Sequence, residues 1–195
     1  MKLIQGILLV SALILSVQLQ AGVPRQSWAH LDGVMKLQPN GVKVESENVL
    51  NRLLIQEAFS RWGIAHDEGQ LDVVRSLFTR DAELIVLLGS KEPIDSAKGV
   101  DNIAKTVANS LAQQQDQRRH AMINIVIDKL TENRASAIAY GIVTKASDGL
   151  TLGASVIYYG DLVKEDDGVW RFSRFIIGID HYAGQRIDPV LGDEN

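Results

Sequence analysis

Four long runs in the second half of the chain narrow its possible folds more than any other feature. Arg119–Leu130, Arg134–Ala146, Leu152–Lys164 and Val169–Ile179 are rich in Ile, Val, Tyr and Phe. Short turns join them, at Thr131-Glu132-Asn133, Ser147-Asp148-Gly149 and Asp166-Asp167-Gly168. Branched and aromatic side chains suit a pleated, half-buried surface, and connections this short can join only antiparallel neighbours. The pattern predicts a four-stranded meander, and such a sheet must bury one face against something else.

The first half supplies that cover. Ser46 can cap a helix whose apolar positions Leu50, Leu54, Ala58, Trp62 and Ala65 recur at helical spacing, with Gly69 as its stop. A short helix over Gln70–Phe78, a buried strand over Ala82–Leu88 and a third helix over Asp101–Gln114 follow. A loop holding Gly89, Pro93 and Gly99 separates that strand from the third helix. Helices first and hairpins afterwards indicate an α+β fold, with the helices on one face of a curved sheet.

Residues 1–21 read as a signal peptide: Lys2, then a mostly apolar run from Leu3 to Val17, then Gln18 to Ala21. The run is shorter than the roughly 20 residues that cross a bilayer. The expectation is export to the periplasm or medium with no membrane attachment after removal of the signal; an uncleaved amino-terminal anchor is the alternative. Residues 22–45, with Pro24, Gly33, Pro39 and Gly41, read as an extended leader, 46–183 as one domain, and 184–195 as a flexible tail.

Charge and composition remove whole classes of chemistry. Twenty Lys and Arg against 24 Asp and Glu, a net charge of -4, leave no basic field for nucleic acid. The absence of cysteine excludes disulfides, thiolate zinc, iron–sulfur clusters and a cysteine nucleophile. The G-x-S-x-G, P-loop and dinucleotide fingerprints are missing as well. Chemistry here has to use oxygen and imidazole.

Several short motifs then fall in a telling order. Phe59-Ser60-Arg61-Trp62-Gly63-Ile64-Ala65-His66-Asp67-Glu68-Gly69-Gln70-Leu71-Asp72 is followed by Leu77-Phe78-Thr79-Arg80-Asp81-Ala82 and by Gly99-Val100-Asp101-Asn102-Ile103. His120 with Asn124, and Trp170-Arg171-Phe172, complete the set. Over about residues 47 to 182 this resembles the SnoaL-like group of the nuclear transport factor 2-like superfamily. The resemblance implies a cone-shaped antiparallel sheet wrapped around a helix, an α+β barrel with an apolar pocket at one end. It also implies that Asp67 and His120 form the proton-transfer dyad of the dehydratase-like members, with no cofactor.

The residues themselves support that geometry. On a strand alternate side chains share a face, so His120, Met122, Asn124 and Val126 should point one way. Adjacent helical residues diverge by about 100°, so only one of His66 and Asp67 can point squarely inward; Asp67 is the expected one. Trp62 either fills core or walls the pocket. Arg174 would bind substrate if its face of the last strand is the inner one, and otherwise lies along the surface. Tyr140 and one of Tyr158 and Tyr159 are further possible donors. Asp180-His181-Tyr182 could join His66 or His120 around a metal, but no metal-ligand spacing is present and none is expected.

The leading expectation is a cofactor-independent lyase or isomerase acting on a small apolar, perhaps cyclic, molecule. Asp67 and His120 would be catalytic, and Trp62, Asn124, Tyr140 and Arg174 would bind substrate. A non-catalytic binder of the same architecture, or a dimeric interaction module, is the alternative, and a homodimer is compatible with each.

Overall fold

The computed structural model describes residues 37–39, 41–89 and 91–182. The signal, most of the leader and the carboxy-terminal tail lie outside them. Helix α1, Ser46–Asp67, is followed by α2, Leu71–Ser76, strand β1, Phe78–Leu88, strand β2, Pro93–Lys98, and helix α3, Val100–Ala112. Four strands then run consecutively: β3, Gln117–Leu130, β4, Arg134–Ala146, β5, Leu150–Lys164, and β6, Trp170–Tyr182. They form one six-stranded sheet in the order β2-β1-β6-β5-β4-β3, parallel only between β1 and β6. The α+β architecture and the meander are as the sequence implied.

Helix α1 starts one residue earlier than expected. Glu45 is its cap, its backbone N–H accepted by Asn48 Oδ1 at 3.3 Å. At the far end Gly69 takes φ +63°, and its N–H and that of Gln70 bond the carbonyls of His66 and Ala65, closing the helix as a left-handed glycine does. The buried stripe is Ile55, Ala58, Phe59, Trp62 and Ala65, whereas Leu50 faces solvent at 65% exposure. The helix is apolar on more than one side, so periodicity alone did not select its inner face.

Inside the curve of the sheet, Phe59 meets Phe172 edge-on at 5.0 Å and Trp62 meets Phe175 at 5.1 Å. Phe78 packs against both Trp62 and Phe172. Burial of these rings, with edge-to-face geometry adding to it, plugs one end of the cone. A smaller cluster of Leu87, Ile138, Ile157 and Ile176 lies on the opposite face of the sheet.

Two differences from the expected elements have simple causes. Pro93–Lys98 was expected as loop and is a strand, pairing antiparallel with β1 from Glu83↔Lys98 to Leu87↔Pro93. It is an exposed edge strand with Pro at its first residue, so it carries no buried alternation to read. Strand β1 begins at Phe78, a residue expected in α2, because Phe78 pairs with Phe172 of β6. The pairing partner lies almost a hundred residues away and is invisible to local pattern.

Candidate functional site

The unplugged part of the cone holds a cavity of about 430 Å³. Its floor is apolar, with the buried rings of Trp62 and Tyr158 beside Val107, Val156, Ile177 and Ile179. Its charged and imidazole groups come from His66, His120, Arg118, Lys145 and Asp95, and Thr106 and Ser110 of α3 add hydroxyls. Strands β2 and β3 are the two outer edges of the sheet, yet both contribute residues, so the sheet curls far enough for its edges to flank one opening.

Asp67 and His120 meet. Asp67 Oδ2 accepts the backbone N–H of His120 at 2.7 Å, and His120 Nδ1 lies 2.5 Å from Asp67 Oδ1. Their side chains are 5% and 11% exposed. An ionised carboxylate can only accept, so this contact fixes the proton on Nδ1 and leaves Nε2 as the basic nitrogen. Gly63 makes the approach possible: a Cβ there would sit 3.0 Å from the His120 carbonyl oxygen and 3.1 Å from Met122 Cγ. Next to this pair in sequence on both elements, Glu68 meets Arg119 at 2.7 Å.

His66 takes the inward position expected of Asp67. Its ring lines the cavity and lies edge-on to that of His120, with centroids 4.8 Å apart, while Asp67 stands behind His120. The signal was present in the four-residue step from Trp62, which places the two rings on one helix face at 5.6 Å. Among the described residues, His66 Nδ1 is buried without a hydrogen-bond partner. Burial, and then the neighbouring His120, push His66 down to about 4; Asp67 opposes and Arg118 adds to the effect. His66 is therefore neutral across the ordinary pH range.

Donor atoms of His66, Asp67 and His120 all lie within 4.8 Å of one another, close enough to surround a cation. Both Asp67 oxygens already accept from His120, so an ion would compete with that arrangement. The side chains of His181 and Tyr182 lie outside the described residues.

The remaining expected site residues divide. Trp62 is fully buried and also borders the cavity, so its two readings hold together. Tyr158 borders it and Tyr159 does not, as neighbours on a strand require; Tyr159 instead donates to Asp161 at 2.8 Å on the outer face. Asn124 and Tyr140 are not with His120. They line a separate cavity of about 400 Å³ with Leu37, Ile125, Val126 and Ile138. For Asn124 the cause is a bulge: pairing with β4 slips between Ile123 and Val126, and Asn124 adopts φ +51°, which breaks the alternation counted from His120; Tyr140 pairs with Ile123 ahead of the slip and faces away from the His120 side by ordinary alternation.

Arg174 is turned away by the same device. Pairing between β5 and β6 slips at Asp161 and Leu162, so Phe172 and Phe175 both reach the inner core. Arg174 then stands opposite Asp161, on the outer side, with Nε buried and, among the described residues, unbonded. Arg118 and Lys145, which do border the cavity, were not singled out by the sequence; the two-residue step from Arg118 to His120 was the available clue.

The profile of the SnoaL-like domain matches residues 47–176. No curated protein sequence matches the chain. Among solved structures, a protein from Novosphingobium aromaticivorans provisionally assigned as a scytalone dehydratase is 20% identical, with TM-score 0.61 over 75% of this chain and 97% of its own. A Catenulispora acidiphila protein solved in complex with S-DNPA is 24% identical, with TM-score 0.58 over 67% of this chain and 93% of its own. A Mycobacterium tuberculosis protein of unknown function is 19% identical, with TM-score 0.61 over 75% and 80%. At these identities the structural likeness establishes the fold alone. The fold is the one seen in nuclear transport factor 2-like proteins, and with two thirds of its length under that one profile the chain belongs to the SnoaL-like family.

Proposed function

We propose that this protein is a cofactor-independent acid–base catalyst of the dehydratase or isomerase type, acting on a small apolar molecule inside the cavity. The observation that carries the reading is the Asp67–His120 pair at the wall of a chamber whose floor is aromatic and aliphatic. His120 Nε2 takes a proton from the guest. Asp67 holds the tautomer and stabilises the imidazolium, and the same nitrogen returns the proton to another atom of the guest or to a leaving hydroxyl. Exclusion of water strengthens each of these interactions. Neutral His66, edge-on to His120, adds no charge that would oppose the imidazolium.

An open chamber of this size favours an enzyme or a binder over a module whose core is filled. A substrate-independent test separates those two. 5-Nitrobenzisoxazole is small, apolar and neutral, and loses one carbon-bound proton to a base as its N–O bond opens to a nitrophenolate. The native protein should accelerate that opening, and His120→Ala should lose about 10²-fold or more of the rate while still binding the probe. Equal rates for the two proteins would leave a binder. Native mass spectrometry of the purified protein would then look for the resident small molecule.

A further inference from the structure

The chamber is not uniformly apolar, and the position of its charges selects a kind of guest. Arg118 and His120 both border the cavity, while Arg119 between them pairs with Glu68. Two residues along a strand place the guanidinium and the imidazole on one face, roughly 7 Å apart at the backbone. Arg118 also lies close enough to His66 to depress its protonation.

The guanidinium is held and incompletely used. Asp116 Oδ1 accepts from Arg118 Nε at 2.8 Å, and Asp116 Oδ2 meets Lys145 Nζ at 3.1 Å. Burial would raise the Asp116 carboxyl, but the hydrogen bonds from Arg118 and Lys145 outweigh it and hold it below its ordinary value. Among the described residues the two terminal nitrogens of Arg118 have no partner. Lys145 reaches the same place because Gly153 lies under its stem, where a Cβ would come within 2.6 Å of Lys145 Cγ. Two cations share one carboxylate on this rim, leaving a net positive edge. The opposite rim, on β2, carries Asp95 and the exposed Ile94.

We infer that the natural guest is an apolar carboxylic acid, anchored by its carboxylate on the terminal nitrogens of Arg118 so that its apolar body passes His120 toward Trp62 and Tyr158. A guanidinium fixed at Nε presents its two remaining donor groups as a fork that fits a planar carboxylate, and its orientation is settled before binding. Asp95 disfavours the reversed pose, because a carboxylate on that rim would face a like charge. Arg118 is in this account the residue that sets specificity, and Asp116 positions it. The inference rests on the acid–base reading of the same chamber.

The test uses 1-naphthylacetate and its neutral amide, 1-naphthylacetamide, which share an apolar body and differ in the group offered to Arg118. By calorimetry in low salt, the native protein should bind the acid about tenfold more tightly than the amide. Arg118→Met should abolish that preference while leaving amide binding within about twofold, and Arg118→Lys should restore only part of it. Lys145→Met, which removes a charge without removing the fork, should reduce the preference less than Arg118→Met does, and circular dichroism checks that each variant is folded. Equal binding of acid and amide by the native protein, or a preference that survives Arg118→Met, overturns the inference and leaves the chamber reading standing. If neither probe binds, the open chamber itself is refuted, and the carboxylate anchor with it.

Discussion

The chemistry of the site depends on which ring nitrogen of one imidazole carries a proton, and Asp67 decides this. Its two oxygens accept from two donors of His120, one of which, the backbone N–H, can never become an acceptor. In Asp67→Asn the single amide oxygen must serve the backbone N–H, so the amide NH2 faces Nδ1. The imidazole then moves its proton to Nε2 and ceases to be a base toward the chamber. The expected result is a loss of about 10²- to 10⁴-fold in base-promoted turnover with the fold intact. Nitrogen-15 chemical shifts of His120 would report the inverted tautomer directly. His66 makes a second expectation. Its folded value, about 4, lies below the ordinary 6.5, so near-neutral pH favours the folded state. As pH falls from 6.5 toward 4 the unfolded chain takes up a proton that the folded chain refuses. Stability should fall across that window by roughly 3 kcal/mol at most. Chemical denaturation at several pH values should show that slope in the native protein and a shallower one in His66→Phe.

At the scale of elements, the contact between α1 and β3 assembles the site, and Gly63 sets its closeness. Gly63→Val would put branched carbon where only 3.0 Å is free to the carbonyl of His120, forcing the helix from the strand. A cost of about 1–3 kcal/mol is expected, from overpacking against backbone that cannot rotate away. The backbone N–H of His120 should also exchange faster with solvent as its bond to Asp67 opens. The same elements show what could be read from sequence and what could not. The meander and the three helices were legible because long runs and short turns leave little freedom of arrangement, and the meeting of Asp67 with His120 was implied by the family resemblance of the motifs that carry them. Asn124 and Arg174 were misplaced because a bulge precedes each in the count, and one extra residue inverts every side chain beyond it. Tyr140 was misplaced with the face it shares. Strand β2 was missed because an exposed edge leaves no hydrophobic record. Helix geometry alone does not separate His66 from Asp67, because Asp67 reaches His120 from behind the cavity wall while His66 lines it.

Across the whole molecule, the aromatic plug and the open chamber are two ends of one interior, and they should respond differently to change. Phe172 is fully buried and touches Phe59, Phe78 and Phe175, with no atom bordering the cavity. Phe172→Ala should cost about 3–5 kcal/mol of stability, read from denaturant midpoints, while the surviving folded fraction keeps its affinity for an apolar probe. Trp62 belongs to both ends, and Trp62→Ala should lower stability and probe affinity together. Strand order adds a constraint of another kind. The strand that joins β1 to the rest of the meander is β6, the latest of the six in the chain, so a nascent polypeptide holds two separate sheet fragments until residues 170–182 arrive. Closing that gap requires a contact between residues nearly a hundred positions apart, which slows folding and exposes unpaired edges while synthesis proceeds. Neither rim of the chamber can take up its final place before this late insertion, so the capacity to hold a guest arises in one step near the end of folding.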